Sequence, residues 1–153
     1  MDLILWRHAE AVEGDTADDD MARLLTPRGE KQAARMAVWL DRQLPDSARI
    51  WVSPSRRTEQ TVLALQRKFR FSPALSPTAS GEQLLELVQW PHAKGCVLVV
   101  GHQPTLGQTI ASLLGLSTSE CAVKKGALWW LRHREREAGA QTVVVTVQSP
   151  EVM

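Results

Sequence analysis

Leu3-Ile4-Leu5-Trp6-Arg7-His8-Ala9 runs four apolar residues straight into a guanidinium and an imidazole. A short uninterrupted apolar run predicts a strand buried on both faces, and it delivers Arg7 and His8 where that strand ends. In open α/β sheets ligands collect outside the carboxyl ends of the strands. A neutral histidine beside a fixed cation can attack a phosphoryl group that the cation holds. A surface Arg-His pair looks the same in isolation, so the meaning of the dipeptide rests on the other strand ends.

The next segment is a polar loop with Gly14 and the acidic triplet Asp18, Asp19 and Asp20. It reads as a surface loop, because three carboxylates cannot pack into a core. Thr26 and Pro27 supply an N-cap and a proline at the first helical position, and Ala33, Ala37, Leu40 and Leu44 recur at helical spacing as far as Pro45. Ile50, Trp51 and Val52 form a second strand ending at Ser53 and Pro54, after which Thr58, Val62, Leu65 and Phe69 trace a helix face. Pro73 and Pro77 break regular structure between residues 72 and 78. Ser80 with Gln83 is a capping box that opens a helix through Leu84, Leu87 and Val88. Residues 97–100 are again continuously apolar; Gly101 ends that strand, and Pro104 begins a helix closing near Gly115. Residues 128–131 and 143–147 read as a late hairpin, separated by the charged stretch 132–137 and Gly139. This alternation predicts an α/β three-layer sandwich: a mostly parallel central sheet with an antiparallel element, and helices on both faces.

With 153 residues, the chain can bury roughly two-thirds of the surface exposed when unfolded. Lys plus Arg total 18 against 17 Asp plus Glu. Near-neutral charge gives no general affinity for nucleic acid or an anionic membrane, so an electropositive site must be local. Six tryptophans and no tyrosine are present; Trp39, Trp51, Trp129 and Trp130 lie in apolar segments and read mostly as core, while Trp90 before Pro91 reads equally as a rim residue. None makes a base-stacking pattern. Cys96 and Cys121 lack metal-type spacing and read as structural. No stretch is long and apolar enough to span a bilayer, and Asp2 stands where a signal peptide would be basic. A cytoplasmic location is expected.

Three strand ends can now be compared. Arg7 and His8 follow the first, Arg57 follows the second within Ser53-Pro54-Ser55-Arg56-Arg57, and His102 follows the third. If the strands are parallel neighbours, two arginines and two histidines converge on one edge. Guanidiniums can clamp nonbridging phosphoryl oxygens and offset developing charge, and an imidazole can add a hydrogen bond.

On these motifs the chain resembles the histidine phosphatase superfamily. They are Arg7-His8-Ala9 in place of the usual Arg-His-Gly, Ser53-Pro54 with Arg57 followed by Glu59-Gln60-Thr61, and Val100-Gly101-His102. The short length and Leu25-Thr26-Pro27-Arg28-Gly29 look most like the SixA-type bacterial phosphohistidine phosphatases. The resemblance spans nearly the whole chain and implies a single domain over residues 1–153 without a large cap insertion. It implies His8 as nucleophile, forming a phosphohistidine that water hydrolyses, with Arg7, Arg57 and His102 on the phosphoryl oxygens and no metal or other cofactor. Neighbouring guanidiniums would favour the neutral imidazole that attack requires.

Ala9 in place of glycine implies that no glycine-only backbone is needed there, and its methyl group is expected to narrow the pocket floor. Larger relatives carry a glutamate general acid on an insertion that this chain lacks. Glu82 lies in the corresponding region, where it equally serves a helix dipole as a first-turn acid; Glu10 is a second candidate or an exposed loop carboxylate. Arg23 either covers the phosphate as a substrate-binding residue or pairs with Asp18, Asp19 or Asp20. Arg56 reads as a solvated neighbour or rim cation, Gln103 and Thr105 as helix-start residues able to orient water or substrate, and Lys124 and Lys125 as a solvated turn.

The expected activity is a phosphohistidine phosphatase, a monomer whose partners are phosphorylated histidine-phosphotransfer proteins, with neither nucleic acid nor membrane as a ligand. A phosphatase for small phosphomonoesters or phosphoanhydrides, with Glu82 as its acid, is one alternative. A phosphate-recognition module without turnover is the other.

Overall fold

The protein is described from a computed structural model covering residues 1–14 and 17–153, the side chains of Ala17 and Asp18 excepted, so the Asp18 part of the acidic triplet lies outside the described residues. Its elements are β1 (Asp2–Arg7), α1 (Pro27–Gln43), β2 (Arg49–Val52), α2 (Arg56–Leu63), β3 (Arg70–Phe71), α3 (Gly81–Val88), β4 (Cys96–Gly101), α4 (Thr105–Leu114), β5 (Leu128–Arg136) and β6 (Gly139–Gln148). Short 3-10 turns cover Ala17–Ala22, Pro73–Leu75 and Pro150–Val152. One six-stranded sheet runs in the order β3-β2-β4-β1-β5-β6. β1, β2, β3 and β4 are parallel, whereas β5 pairs antiparallel with both β1 and β6.

Side chains on a strand alternate between faces, and this alternation sorts the core. Ile4, Trp6, Val52, Leu98 and Val100 meet Met36 and Leu40 of α1 and Val62 of α2. Leu3, Leu5, Val97 and Val99 meet Leu84 and Val88 of α3 and Leu106 and Ile110 of α4. The expected three layers are therefore present. Caps fix where the helices start. Thr26 accepts the Gly29 N–H ahead of α1, Ser55 accepts the Thr58 N–H ahead of α2, and Ser80 with Gln83 closes the capping box of α3 in both directions. Gly115, in the left-handed region at φ 65°, ends α4. At the start of β1, Asp2 accepts two hydrogen bonds from Arg132, at 2.8 and 2.9 Å, and one from Trp130, tying the first strand to β5.

Several local expectations need correction. α2 stops at Leu63, and Gln66 turns the chain at φ 57°. Leu65 and Phe69 pack against the same core from beyond the helix, so their helical spacing reflects a shared burial direction. The segment expected to be irregular contains the turn Pro73–Leu75 next to the two-residue strand β3. Residues 132–136, expected to separate two strands, are strand: β5 and β6 continue pairing out to Arg136↔Gly139, while β1 accompanies β5 only as far as Arg132. Beyond that point no third strand among the described residues adjoins them, which leaves charged side chains free to face water. Among the tryptophans, Trp6 and Trp130 are buried, but Trp39, Trp51 and Trp129 are only partly so. Cys96 is a buried free thiol, its pKa pushed up to about 12 by burial and then by Asp2. Cys121 is also free and only partly buried.

Candidate active site

Parallel pairing of β1 with β4 puts Trp6 opposite Val100 and Arg7 opposite Gly101. The His8 N–H then donates to the Gly101 carbonyl at 3.1 Å, so His8 and His102 leave the sheet side by side, with ring centroids 5.4 Å apart. β2 lies on the other side of β4, and the Ser53 N–H donates to Val100 O. That brings Ser53, and α2 behind it, to the same edge. Arg57, in the first turn of α2, is buried. Arg7, His8, Arg57 and His102, which the sequence places at three strand ends, thus share one site.

His8 is 6 % exposed. Its Nδ1 lies 2.7 Å from the Ala9 carbonyl, an acceptor only, so Nδ1 carries the proton and Nε2 keeps a free lone pair. Burial pushes its pKa down to about 3, helped by the charges of Arg57, Arg7 and Arg23 against the opposing Ala9 hydrogen bond. His102 is pushed down to about 3 as well, chiefly by burial and by Arg57. Both imidazoles are neutral at pH 7. His102 Nε2 stands 2.7 Å from Ser53 Oγ, and its Nδ1 is buried without a partner. Arg7 Nη1 donates to Val123 O at 2.8 Å, and the Nε atoms of Arg7 and Arg57 are both buried without a partner among the described residues. Unsatisfied buried donors are costly, and a site rich in them suits an anion.

Residues with quieter roles hold this geometry. Thr61 Oγ1 accepts from the Ala9 N–H at 3.0 Å and donates to Arg57 O at 2.7 Å, joining the residue after His8 to the helix that carries Arg57. Gln60 accepts the Leu25 N–H at 2.7 Å. Trp6 Nε1 donates to Gly126 O, and the Gly126 N–H donates to His8 O. In the sequence, the one signal for Gln60 and Thr61 is a pair of polar side chains on the inner side of an amphipathic helix. The Val123 carbonyl on Arg7 had no signal, because main-chain acceptors are common to every residue.

Ala9 adopts no positive φ, as expected. Its methyl group, expected to narrow the pocket floor, instead packs with Ala11, Leu25 and Ala33. Arg23 does pair with the acidic loop: it bonds Asp20 Oδ1 at 3.1–3.2 Å and Val12 O at 3.0 Å. The loop is not merely surface, however, because Asp20 also accepts from Arg57, through its carbonyl at 2.6 Å and its carboxylate at 3.2 Å. Glu82 is exposed in the first turn of α3 and makes no hydrogen bond or ion pair to any of these residues. Glu10 is half-buried, accepting from Thr26 Oγ1 at 2.7 Å. Arg56 is exposed and pairs with Glu59. Gln103 bonds Cys121 O and the Gly107 N–H, and Thr105 bonds Ala79 O, so both are committed to structure. Lys124 and Lys125 are exposed. A separate cavity of about 680 Å³, lined by Arg49, Trp51, Arg67 and Arg70, opens at the amino ends of β2 and β3. Among the described residues, no group of three or more His, Cys, Asp or Glu is arranged to hold a metal ion, and no helix is long and apolar enough to cross a membrane.

The family model of the histidine phosphatase superfamily, branch 1, matches residues 3–82, a segment that contains Arg7, His8 and Arg57. The chain belongs to the histidine phosphatase superfamily. His102 lies beyond the matched segment and is joined to it in space. Among curated proteins, the chain is 31% identical over 130 residues to the phosphohistidine phosphatase SixA homolog of Haemophilus influenzae, covering 75% of this chain and 78% of that one. It is 32% identical over 121 residues to phosphohistidine phosphatase SixA of Escherichia coli, with 74% of each covered. Among solved structures, the protein histidine phosphatase SixA complexed with tungstate superposes with a TM-score of 0.79 at 24% identity, covering 99% of both chains. That superposition shows a shared fold.

Proposed function

We propose that this superfamily member is a phosphohistidine phosphatase, acting in the cytoplasm as a single domain over residues 1–153 and using His8 as nucleophile. The observation that carries the proposal is His8 itself: a buried neutral imidazole with Nδ1 committed to the Ala9 carbonyl, placed beside Arg7, Arg57 and His102. A module that only recognised phosphate would need the arginines and have no use for a nucleophile so prepared.

In the proposed reaction the His8 Nε2 lone pair forms a bond to phosphorus while the bond from phosphorus to the substrate imidazole breaks. The bonding pair leaves with that imidazole, which departs neutral when its other ring nitrogen already carries a proton. Water then attacks phosphorus, the bond to Nε2 breaks, and its pair returns to His8; the proton lost by water ends on phosphate or in solvent. Arg7 and Arg57 hold the nonbridging oxygens through both steps, where fixed cations in a dry site stabilise developing charge. When Ser53 donates its hydroxyl to His102 Nε2, the His102 proton sits on Nδ1, the unpartnered atom, available to another oxygen.

The phosphomonoester alternative requires a proton donor, because an alkoxide leaves poorly unless protonated. Glu82 and Glu10 are the candidates, one exposed with no bond to the site residues and the other held by Thr26. The likeness to the two curated phosphohistidine phosphatases supports the imidazole leaving group. Incubating the protein with a phosphorylated histidine-phosphotransfer domain and, separately, with small phosphomonoesters tests the reading. Faster release of phosphate from the domain is expected; faster turnover of every monoester would overturn it.

A further inference from the structure

Asp20 was expected to be a solvated member of an acidic loop, yet it is bound as a phosphoryl group would be. Its carboxylate spans two guanidiniums, with Oδ2 accepting from Arg57 Nη2 of the site at 3.2 Å and Oδ1 lying 3.1 Å from Arg23 Nη2 of its own loop. Its main-chain carbonyl takes the other Arg57 terminal nitrogen at 2.6 Å. Arg57 is 3 % exposed, and both of its terminal nitrogens are engaged by this one residue while its Nε has no partner. The guanidinium assigned to the substrate is thus already engaged at both ends, one terminal nitrogen by a carboxylate oxygen and the other by a main-chain carbonyl.

The attachment of this residue suits a displaceable contact. Asp20 belongs to the 3-10 turn Ala17–Ala22, whose flanking strands of chain are pinned to each other: Ala11 bridges Leu25, the Val12 N–H donates to Leu24 O at 2.8 Å, and the Thr26 N–H donates to Glu10 O at 3.0 Å. Asp20 can therefore leave Arg57 without unmaking that stem. Met21 and Ala22 beside it are exposed, so these two side chains add little apolar packing against the movement. The Asp20 side chain is itself 37 % exposed, and water can take over its oxygens as it moves.

The geometry points to Asp20 as an internal competitor for the phosphoryl site, a carboxylate that substrate must displace from Arg57 and that returns as phosphate leaves. This inference rests on the reading of Arg7, His8, Arg57 and His102 as the phosphoryl site. Its consequence is selectivity. When a binding-competent state is only fractionally populated, every ligand's apparent affinity falls by that fraction, and a small anion has nothing with which to recover the loss. A phosphoryl group carried on a protein has further surface to contact. Product phosphate, which has no further surface to contact, is expelled by the returning carboxylate.

Calorimetric titration with tungstate, an oxyanion that needs no turnover, tests this on the full chain. Four proteins are compared at fixed ionic strength: wild type, Asp20→Asn, Arg57→Gln and Asp46→Asn, the last removing an equal charge from the exposed turn ahead of β2. Asp20→Asn should bind tungstate on the order of tenfold more tightly than wild type, as expected when about nine-tenths of the resting site is occupied by the carboxylate. Asp46→Asn should match wild type and Arg57→Gln should bind more weakly. Equal or weaker binding by Asp20→Asn, with Arg57→Gln still impaired, would overturn the competitor role and leave the site intact. Binding that does not depend on Arg57 would overturn the site reading and the inference with it. Circular dichroism on each variant separates either result from misfolding.

Discussion

His8 shows how a few local contacts suit an ordinary side chain to the nucleophilic role proposed for it. The proton is confined to Nδ1 by the Ala9 carbonyl, and burial together with Arg57, Arg7 and Arg23 disfavours a second proton. Free in water the imidazole would be half protonated near pH 6.5; here its pKa is pushed down to about 3. An NMR titration of the imidazole carbons should accordingly show His8 and His102 unchanged between pH 8 and pH 5. A midpoint above pH 6 for His8 would contradict the burial and charge argument. At this scale the sequence was informative about identity and poor about partners. Arg7, His8, Arg57 and His102 were legible because each follows a strand end. The competing Asp20 was not, because a run of carboxylates looks solvated until a buried arginine is seen beneath one of them.

Elements position these residues through connections that hydrophobic patterning does not reveal. The strands were legible because continuous burial on both faces demands continuous apolar sequence, as in β1 and β4. β3 was not, since its two residues, Arg70 and Phe71, are both exposed, and the outer half of the β5–β6 hairpin was hidden by charges that its freedom from packing tolerates. Likewise α2 ended earlier than its spacing suggested, because Leu65 reaches the core from outside the helix. The tie between β1 and α2 is Thr61, completely buried and bonded to both the Ala9 N–H and Arg57 O. Thr61→Val keeps its shape and strands the Ala9 N–H. A loss of about 1–3 kcal/mol in urea unfolding is expected from one unsatisfied buried donor, with a drop in kcat of roughly tenfold or more as His8 and Arg57 lose their common reference. Unchanged kcat in a protein of reduced stability would show that the tie serves the fold alone.

For the whole molecule, a sheet edge lined by cations and neutral histidines makes stability depend on pH. His8 and His102 both have pKa values well below that of the unfolded chain. Between pH 6.5 and pH 3 the unfolded state therefore binds protons that the native state does not, and stability falls as pH falls. Stability present above pH 6.5 should decline by about 1.4 kcal/mol per pH unit for each histidine, amounting to about 2 kcal/mol each by pH 5. Urea unfolding at pH 7, 6 and 5 measures the slope, and His8→Gln should remove about half of it; an unaltered slope would show that the acid sensitivity lies elsewhere. The same arrangement, a neutral His8 with a free Nε2 among fixed cations, is what makes a covalent intermediate the central claim. Its most direct test is to mix the enzyme with a phosphorylated histidine-phosphotransfer domain, quench in alkali, which preserves phosphohistidine, and locate the phosphate by peptide mass spectrometry. The account predicts one acid-labile phosphoryl group on His8, absent from His8→Ala along with turnover; phosphate released at full rate by His8→Ala would contradict it.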